Sequence, residues 1–186
     1  MSCKTGERKK ALDIFPFFAK TSFIFEHKFY LCLIHPILKD NTYRQEISPI
    51  LAVVPHVQNA EIAALIIGNS WRERLIGFVL ATATRPENFV KLILQSLQNP
   101  RGIAVVPACA LLSILAEKNL FKIESIHSNN FDRTVFDGEL GWAIDKILFH
   151  AGLRTDDISG RGPNYGQIFE DHREVYRWIL GRESSE

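Results

Sequence analysis

The chain has 186 residues, of which 46% are hydrophobic and 23% charged, as is ordinary for a globular domain with a sizeable core. Its net charge of +1 gives no general preference for nucleic acid or for any other polyanion. Three widely spaced cysteines exclude a disulfide framework and a zinc–cysteine pattern, and they fit a reducing, cytoplasmic setting.

The first part of the chain is predicted to be an arm attached to one domain. Residues 1–20 form a basic, partly flexible arm, and residues 21–182 form a single helical domain. Asp13 and Pro16 interrupt the apolar stretch of the arm, so no signal peptide is predicted. No uncharged run reaches the roughly 18 residues that a membrane span needs, and we expect no membrane interaction.

The segment Ser22–Leu38 fits two structures. Its aromatic and aliphatic side chains suit a β-hairpin that turns at Glu26–Lys28, and they also suit a helix with apolar residues at every fourth position. The length of the run without a glycine-containing turn favours the helix. A short helix then begins near Ile47 and ends before Pro55.

The clearest element is a helix over residues 70–83. Ser70 and Glu73 have the spacing of a capping box, in which each residue satisfies an amide of the other. No charge occurs from Leu75 to Thr84, so this helix is expected to be buried with only its first turn in solvent. A shorter helix, Asn59–Ile67, precedes it and is capped by Asn59.

Further helices follow with short connections between them. Pro86 begins one, Asp137 caps another, and His172 lies on the apolar stripe of the last, where we expect a core histidine. Their predicted ranges are 86–97, 103–117, 138–150 and 167–180, with a short apolar segment at 120–126.

These elements predict an all-α fold without a confident strand. The three most apolar helices begin near residues 70, 103 and 138, at intervals of about 33 to 35 residues, which is typical of stacked helical hairpins. We therefore expect a HEAT-like α-solenoid fragment or an irregular helical bundle, and the regular spacing favours the former.

The charged start of the buried helix is the first candidate site. Two arginines, Arg72 and Arg74, lie beside the indole of Trp71, an arrangement that can grip an anion or pack on a partner. The structural alternative is that Glu73 completes the cap, Arg72 bonds a neighbouring hairpin and Trp71 is core. We favour this alternative, because a motif that opens a buried helix must be internally paired.

The C-terminal third provides a second set of candidates. Residues 132–186 carry 11 acidic and 7 basic side chains, a balance that favours a basic partner or a solvated surface. Aromatic and arginine side chains nearby are candidate partner contacts. The candidates in this region are Asp132, Asp137, Glu139, Asp156, Asp157, Arg161, Tyr165 and Trp178.

Catalytic and metal-binding motifs are not found. The glycine-rich segment 155–166 lacks the Lys-Ser/Thr ending of a P-loop, and no Gly-x-Ser-x-Gly or activated Cys–His pair is present. The six histidines are not spaced as metal ligands, so we expect neither a cofactor nor a metal. The sequence therefore predicts a protein that is not an enzyme.

The segment Ala60–Leu80, and above all Trp71-Arg72-Glu73-Arg74-Leu75, resembles a family of uncharacterised bacterial helical proteins with a Trp-Arg-Glu-Arg-Leu motif. The segments at residues 29–35 and 141–144 are similar to its first and last helices. Small helical proteins of this kind look like immunity proteins of bacterial toxin systems. The resemblance implies a protein-binding function that neutralises one cognate toxin.

Two other functions remain open. The basic residues of Lys4–Lys10, with Arg72 and Arg74, would suit a nucleic-acid-associated scaffold, although the near-neutral total charge makes this the weaker hypothesis. An enzyme whose site is assembled from distant helices would show no local motif, and a deep pocket with two or more titratable groups would favour it. The oligomeric state is not determined by the sequence.

Overall fold

The computed structural model describes residues 29–34, 42–127, 129–155 and 165–182, and within these ranges the chain forms helices and turns without a strand. The predicted all-α fold is confirmed. The arm at residues 1–20 lies outside the described residues. So does most of the ambiguous segment 22–38, of which Phe29–Leu33 form a 3₁₀ helix.

The described residues contain eight α-helices. They are α1 (Thr42–Ala52), α2 (Asn59–Ile66), α3 (Trp71–Thr82), α4 (Val90–Gln98), α5 (Val105–Glu117), α6 (Glu124–His127), α7 (Glu139–His150) and α8 (Tyr165–Arg182). Short 3₁₀ helices at Val54–His56, Pro86–Phe89 and Gly102–Ala104 connect some of them. The first helix begins five residues before the predicted Ile47, and the last is longer than predicted at both ends.

Helix α5 is the centre of the molecule. Every residue from Val105 to Leu115 is buried, and α3, α4, α7 and α8 pack around it. The predicted recurrence of apolar helices holds, since they begin at Trp71, Val105 and Glu139. However, α8 packs on both α5 and α3, whereas a solenoid unit contacts only its neighbours in sequence. The architecture is therefore the irregular helical bundle.

Local capping signals were only partly correct. The capping box at Ser70 and Glu73 is confirmed, with the Glu73 carboxylate 3.0 Å from the Ser70 amide. Asn59 does not cap α2, because Gln58 occupies the cap position and forms a capping box with Glu61. Asp137 does not cap α7 either. Gly138 holds that position in a left-handed conformation, without a side-chain cap.

Arg74 holds the ends of two helices together. It is 2% exposed, and its guanidinium donates to the carbonyl oxygens of Gly68, Ser96 and Asn99 at 2.7–2.8 Å. Gly68 follows α2, and the other two lie at the end of α4. Carbonyl groups at the end of a helix have no amide donor within that helix. One cation therefore satisfies acceptors from two separate helix ends.

Gly77 allows α2 and α3 to approach closely. A Cβ atom at this position would lie 2.8 Å from the Ile66 amide nitrogen and 3.0 Å from the Leu65 Cβ. The first of these contacts is with backbone, so a flexible side chain cannot relieve it. The absence of a side chain at Gly77 thus sets the distance between the two helices.

His172 ties α8 to the beginning of the described chain. It is 2% exposed, and its ring nitrogens each lie 2.8 Å from a carbonyl oxygen, one of Ile168 and the other of Leu33. The prediction of a core histidine is confirmed. The contact between His172 and Leu33 joins residues near the two ends of the described chain, so it holds these two ends together in the bundle.

Replacing Arg74 by alanine should lower the free energy of unfolding by about 2–4 kcal/mol, because three carbonyl acceptors lose a charged donor. Arg72→Ala is the matched control, since that side chain is exposed and should cost less than about 1 kcal/mol. Urea denaturation of both variants measures the difference. Equal losses in the two variants would contradict the role assigned to Arg74.

Gly77→Ala should destabilise the protein, although alanine normally stabilises a helix interior by about 1 kcal/mol relative to glycine. The added methyl group meets the backbone of α2, so its steric cost should exceed that gain. Gly181→Ala is the control, because a Cβ there meets nothing within 4 Å. Its melting temperature should stay constant or rise, while that of Gly77→Ala falls.

Candidate functional site

The two arginines of the Trp-Arg-Glu-Arg-Leu motif lie in different environments. Arg72 is exposed, and its guanidinium carbon lies 4.4 Å from the ring centroid of Trp71 and 5.4 Å from that of Tyr30. Arg74 is buried beneath the helix ends that it joins. The residue that bonds a neighbouring hairpin is therefore Arg74, and the assignment of this role to Arg72 was wrong. Because Arg74 is inaccessible, the pair cannot grip an anion together.

The beginning of α7 brings several predicted candidates together in what we call the acidic face, formed by Asp132, Phe136, Asp137, Glu139 and Tyr165. The Glu139 carboxylate and the Tyr165 hydroxyl share a hydrogen bond, and the charge of Asp137 also acts on Tyr165. Phe136 directly precedes Asp137 in the chain. Asp137, Glu139 and Tyr165 thus interact with one another, and we assign Asp132 and Phe136 to the same surface because they precede Asp137 in the same loop and are exposed.

The acidic face exposes both charge and aromatic surface. Phe136 is 43% exposed and Tyr165 is 39% exposed. Within the described ranges, none of the carboxylates of Asp132, Asp137 and Glu139 forms an ion pair. Exposed aromatic rings beside uncompensated negative charge are features of a surface that contacts another molecule.

Hydrogen bonding and burial set the acid–base properties of this face. Hydrogen bonds from the Thr134 hydroxyl and amide lower the pKa of Asp132. Burial raises the pKa of Glu139, while the charge of Glu139 raises the pKa of Tyr165. The Tyr165 hydroxyl therefore stays protonated and can donate a hydrogen bond to the Glu139 carboxylate.

The turn before α7 has an unusual backbone. Phe136, Asp137 and Gly138 have φ values of 52°, 53° and 85°, so three successive residues are left-handed. This conformation costs about 1–2 kcal/mol for each residue with a side chain, and only glycine adopts it readily. Strained residues of this kind are concentrated at functional sites, and the surrounding structure must hold them in place. The strained turn carries the exposed ring and one carboxylate of the acidic face.

The remaining sequence candidates are not part of the acidic face as described. Asp156, Asp157 and Arg161 lie outside the described residues. Trp178 is partly buried against the core, and the guanidinium groups of Arg44 and Arg182 lie over its ring. Of the two roles considered for Trp178, its packing places it at the rim of the core.

Sequence reasoning missed a charged network that joins α5, α7 and α8. Arg173 is 6% exposed and lies 2.8 Å from Glu117 and 2.9 Å from Glu170. Arg177 lies 2.7 Å from Glu117, and His150 lies 2.9 Å from Glu170. Glu170 and Arg173 are three residues apart on α8, but the other partners come from different helices, so local spacing did not indicate the network. The alternating charges offset one another and fasten α8 to the bundle.

A cleft of about 830 Å³ adjoins this network. Its lining includes the titratable residues Glu117, Lys122, Glu124 and His150, which satisfies the part of the enzyme criterion that asks for two or more titratable groups. The acid–base groups nearest the network are already engaged, since Glu117 accepts from two arginines and His150 contacts Glu170 and Arg173.

A nucleophile–base pair is not formed at this cleft. The Ser113 hydroxyl also lines it but is buried, and it forms no hydrogen bond with His150 or any other group in the described ranges. Among the residues that the structure describes, no three histidine, cysteine or acidic side chains are placed to hold a metal. In the same residues, no helix combines the length and apolar character needed to cross a bilayer.

Comparison with known proteins gives no match, since no family model fits this chain and no curated protein or solved structure is significantly similar to it. The resemblance to the Trp-Arg-Glu-Arg-Leu family stays a prediction. The function must be inferred from the surface geometry.

The charged network should make the fold sensitive to acid. Burial raises the pKa of Glu170, but hydrogen bonds and charges of His150 and Arg173 outweigh burial and lower this pKa to about 2. The ionised carboxylate therefore stabilises the fold above its ordinary pKa of 4.5, and this contribution is lost as the pH falls toward about 2. Glu170→Gln should show a smaller loss of stability between about pH 6 and pH 3 than the unmodified protein.

Urea denaturation at the two pH values measures this difference. Glu174→Gln is the control, because Glu174 lies on the same helix, is exposed and forms no ion pair with a described residue. The control should keep the full acid dependence. If both variants lose stability in parallel with the unmodified protein, Glu170 does not carry the effect.

Proposed function

We propose that this protein is a non-enzymatic, protein-binding helical domain that neutralises a cognate bacterial toxin. The observation that carries the proposal is the acidic face, where two exposed aromatic rings accompany three carboxylates that form no ion pair with a described residue. Aromatic residues are enriched at the centres of protein interfaces, whereas charged residues are placed at their rims. The partner surface should accordingly be basic and should offer a pocket for an aromatic ring.

The electrostatics of this face favour rapid and selective association. Its carboxylates attract lysine and arginine side chains, which speeds encounter and disfavours acidic partners. The strained turn at Phe136 and Asp137 is already formed in the free chain, so less ordering is required on binding. Free thiols at Cys32 and Cys109 fit a cytoplasmic location for this encounter.

The alternative functions receive less support. A nucleic-acid scaffold would use the basic residues of Lys4–Lys10, which lie outside the described residues, with Arg72 and Arg74, but Arg74 is buried and Arg72 covers aromatic rings. The cleft beside α5 favours a small-molecule or enzymatic function more specifically, because it contains four titratable side chains. The engagement of His150 and Glu117 in the charged network supports the binding function over catalysis there.

The test is binding to the products of the neighbouring genes. Each product is co-expressed with the chain and isolated by native pull-down, and the dissociation constant of any complex is measured by calorimetry. Phe136→Ala should weaken the complex about tenfold or more, as expected for an aromatic residue at the centre of an interface, and Asp137→Asn should weaken it less, mainly by slowing association.

Ile103→Ala is the matched control, because Ile103 is 42% exposed, much like Phe136, but lies beside the start of α5 rather than on the acidic face. It should leave the affinity unchanged. The proposal fails if no neighbouring product binds, or if the control weakens the complex as much as Phe136→Ala. Turnover of a small molecule in the cleft, abolished by His150→Ala, would favour the enzymatic alternative instead.

A further inference from the structure

A second charged surface, of opposite sign, lies at the other end of α8. The guanidinium carbons of Arg44 and Arg182 lie 5.6 Å and 5.2 Å from the ring centroid of Trp178. We call these three residues the arginine–indole cluster. Arg44 belongs to α1 and Arg182 is the last residue of α8, so the fold brings two distant cations to one ring.

The geometry of the cluster limits how far apart its charges can be. The two distances to one centroid place the guanidinium carbons at most about 11 Å apart. Trp178 is packed against the hydrophobic core, which fixes the ring on which both arginines rest. The cluster therefore concentrates two positive charges at one place on the surface.

Neither cation has a counter-ion among the residues that the structure describes. Arg44 and Arg182 are exposed, and neither forms an ion pair with a described residue. Each contact with the indole is worth only about 0.5–1 kcal/mol at an exposed site. Arg182 also complements the negative end of α8, but Arg44 has no such role. Two neighbouring like charges that no described carboxylate compensates raise the local positive potential and favour an anion beside them.

We propose that the arginine–indole cluster binds a phosphate monoester group. A guanidinium presents a rigid fork of donors that matches the oxygens of a phosphate. A phosphate monoester carries a charge of about −1.5 to −2 near pH 7, close to the combined charge of the two arginines. A single carboxylate would neutralise only one of them.

The surroundings disfavour an extended polyanion. Glu174 lies one helical turn before Trp178 and is exposed. Its carboxylate would repel the successive phosphates of a nucleic acid more than it would repel a single phosphate group bound beside the arginines. Stacking of a base on Trp178 would also displace a guanidinium that already covers the ring.

The test follows the indole N–H resonance of Trp178, assigned with the Trp178→Phe variant, during titration with phenyl phosphate. The resonance should shift and saturate, while those of Trp71 and Trp142 stay in place. The double variant Arg44→Gln/Arg182→Gln should bind about tenfold more weakly or not at all. Arg72→Gln is the matched control, since Arg72 also rests on an indole but has no second arginine there, and its titration should be unchanged.

The charge of the ligand gives an independent readout. Diethyl phosphate, a monoanion, should bind several-fold more weakly than phenyl phosphate, and binding of phenyl phosphate should decline below about pH 6. Equal binding of both esters, or the same affinity in the double variant, would overturn the proposal and leave Arg182 as a helix-end charge only. Tighter binding of a single-stranded oligonucleotide than of phenyl phosphate would overturn it as well.

A phosphoserine peptide distinguishes the source of the phosphate. If it binds about tenfold more tightly than phenyl phosphate while its unphosphorylated form does not bind, the site recognises a phosphorylated protein. Equal affinity for the peptide and for phenyl phosphate would assign it to small phosphorylated molecules. Either result supports the site, and neither depends on the acidic face.

Discussion

The structure depends on covering α5, a helix without a charged side chain before Glu117. A helix that is apolar on every side must be covered by other elements on every side, because any side left in water exposes hydrophobic surface. Four other helices meet this requirement, and their different lengths and directions make the bundle irregular. The same requirement drives polar groups outward, so the candidate binding surfaces lie at the outside of the bundle, beside α7 and α8, rather than at its centre.

Buried arginine side chains pair with acceptor groups that would otherwise lack a hydrogen-bond donor inside the bundle. Arg74 is buried, and its contact with the Ser96 carbonyl is buried, while those with the Gly68 and Asn99 carbonyls are part-buried. A cation with several donors can satisfy the three carbonyls together. Arg173 has a comparable position on α8, where it meets carboxylates from α5 and from its own helix. Both arginines belong to the framework, which leaves Arg44, Arg72 and Arg182 as the exposed arginines that rest on aromatic rings.

The sequence predicted those features that depend on neighbours within one turn of a helix. The Ser70–Glu73 box and the apolar stripe that contains His172 are of this kind, since the spacing itself fixes the contact. The partners of Arg74 lie up to 25 residues away, and Glu117 lies 56 residues from Arg173, so only the folded chain brings them together. The acidic face was predicted as a set of carboxylates, but the exposed Phe136 and its left-handed turn were not, because backbone conformation at a non-glycine residue leaves no signature in sequence.

The position of α8 along the chain has a consequence for biosynthesis. This helix covers α5, yet its residues leave the ribosome seconds later, at a typical rate of about 5–20 residues per second. During that interval the side of α5 that α8 covers is exposed to solvent on the nascent chain. Premature termination before α8 should therefore yield a product that chaperones retain or that aggregates, so that only molecules with an intact C-terminal helix accumulate in soluble form.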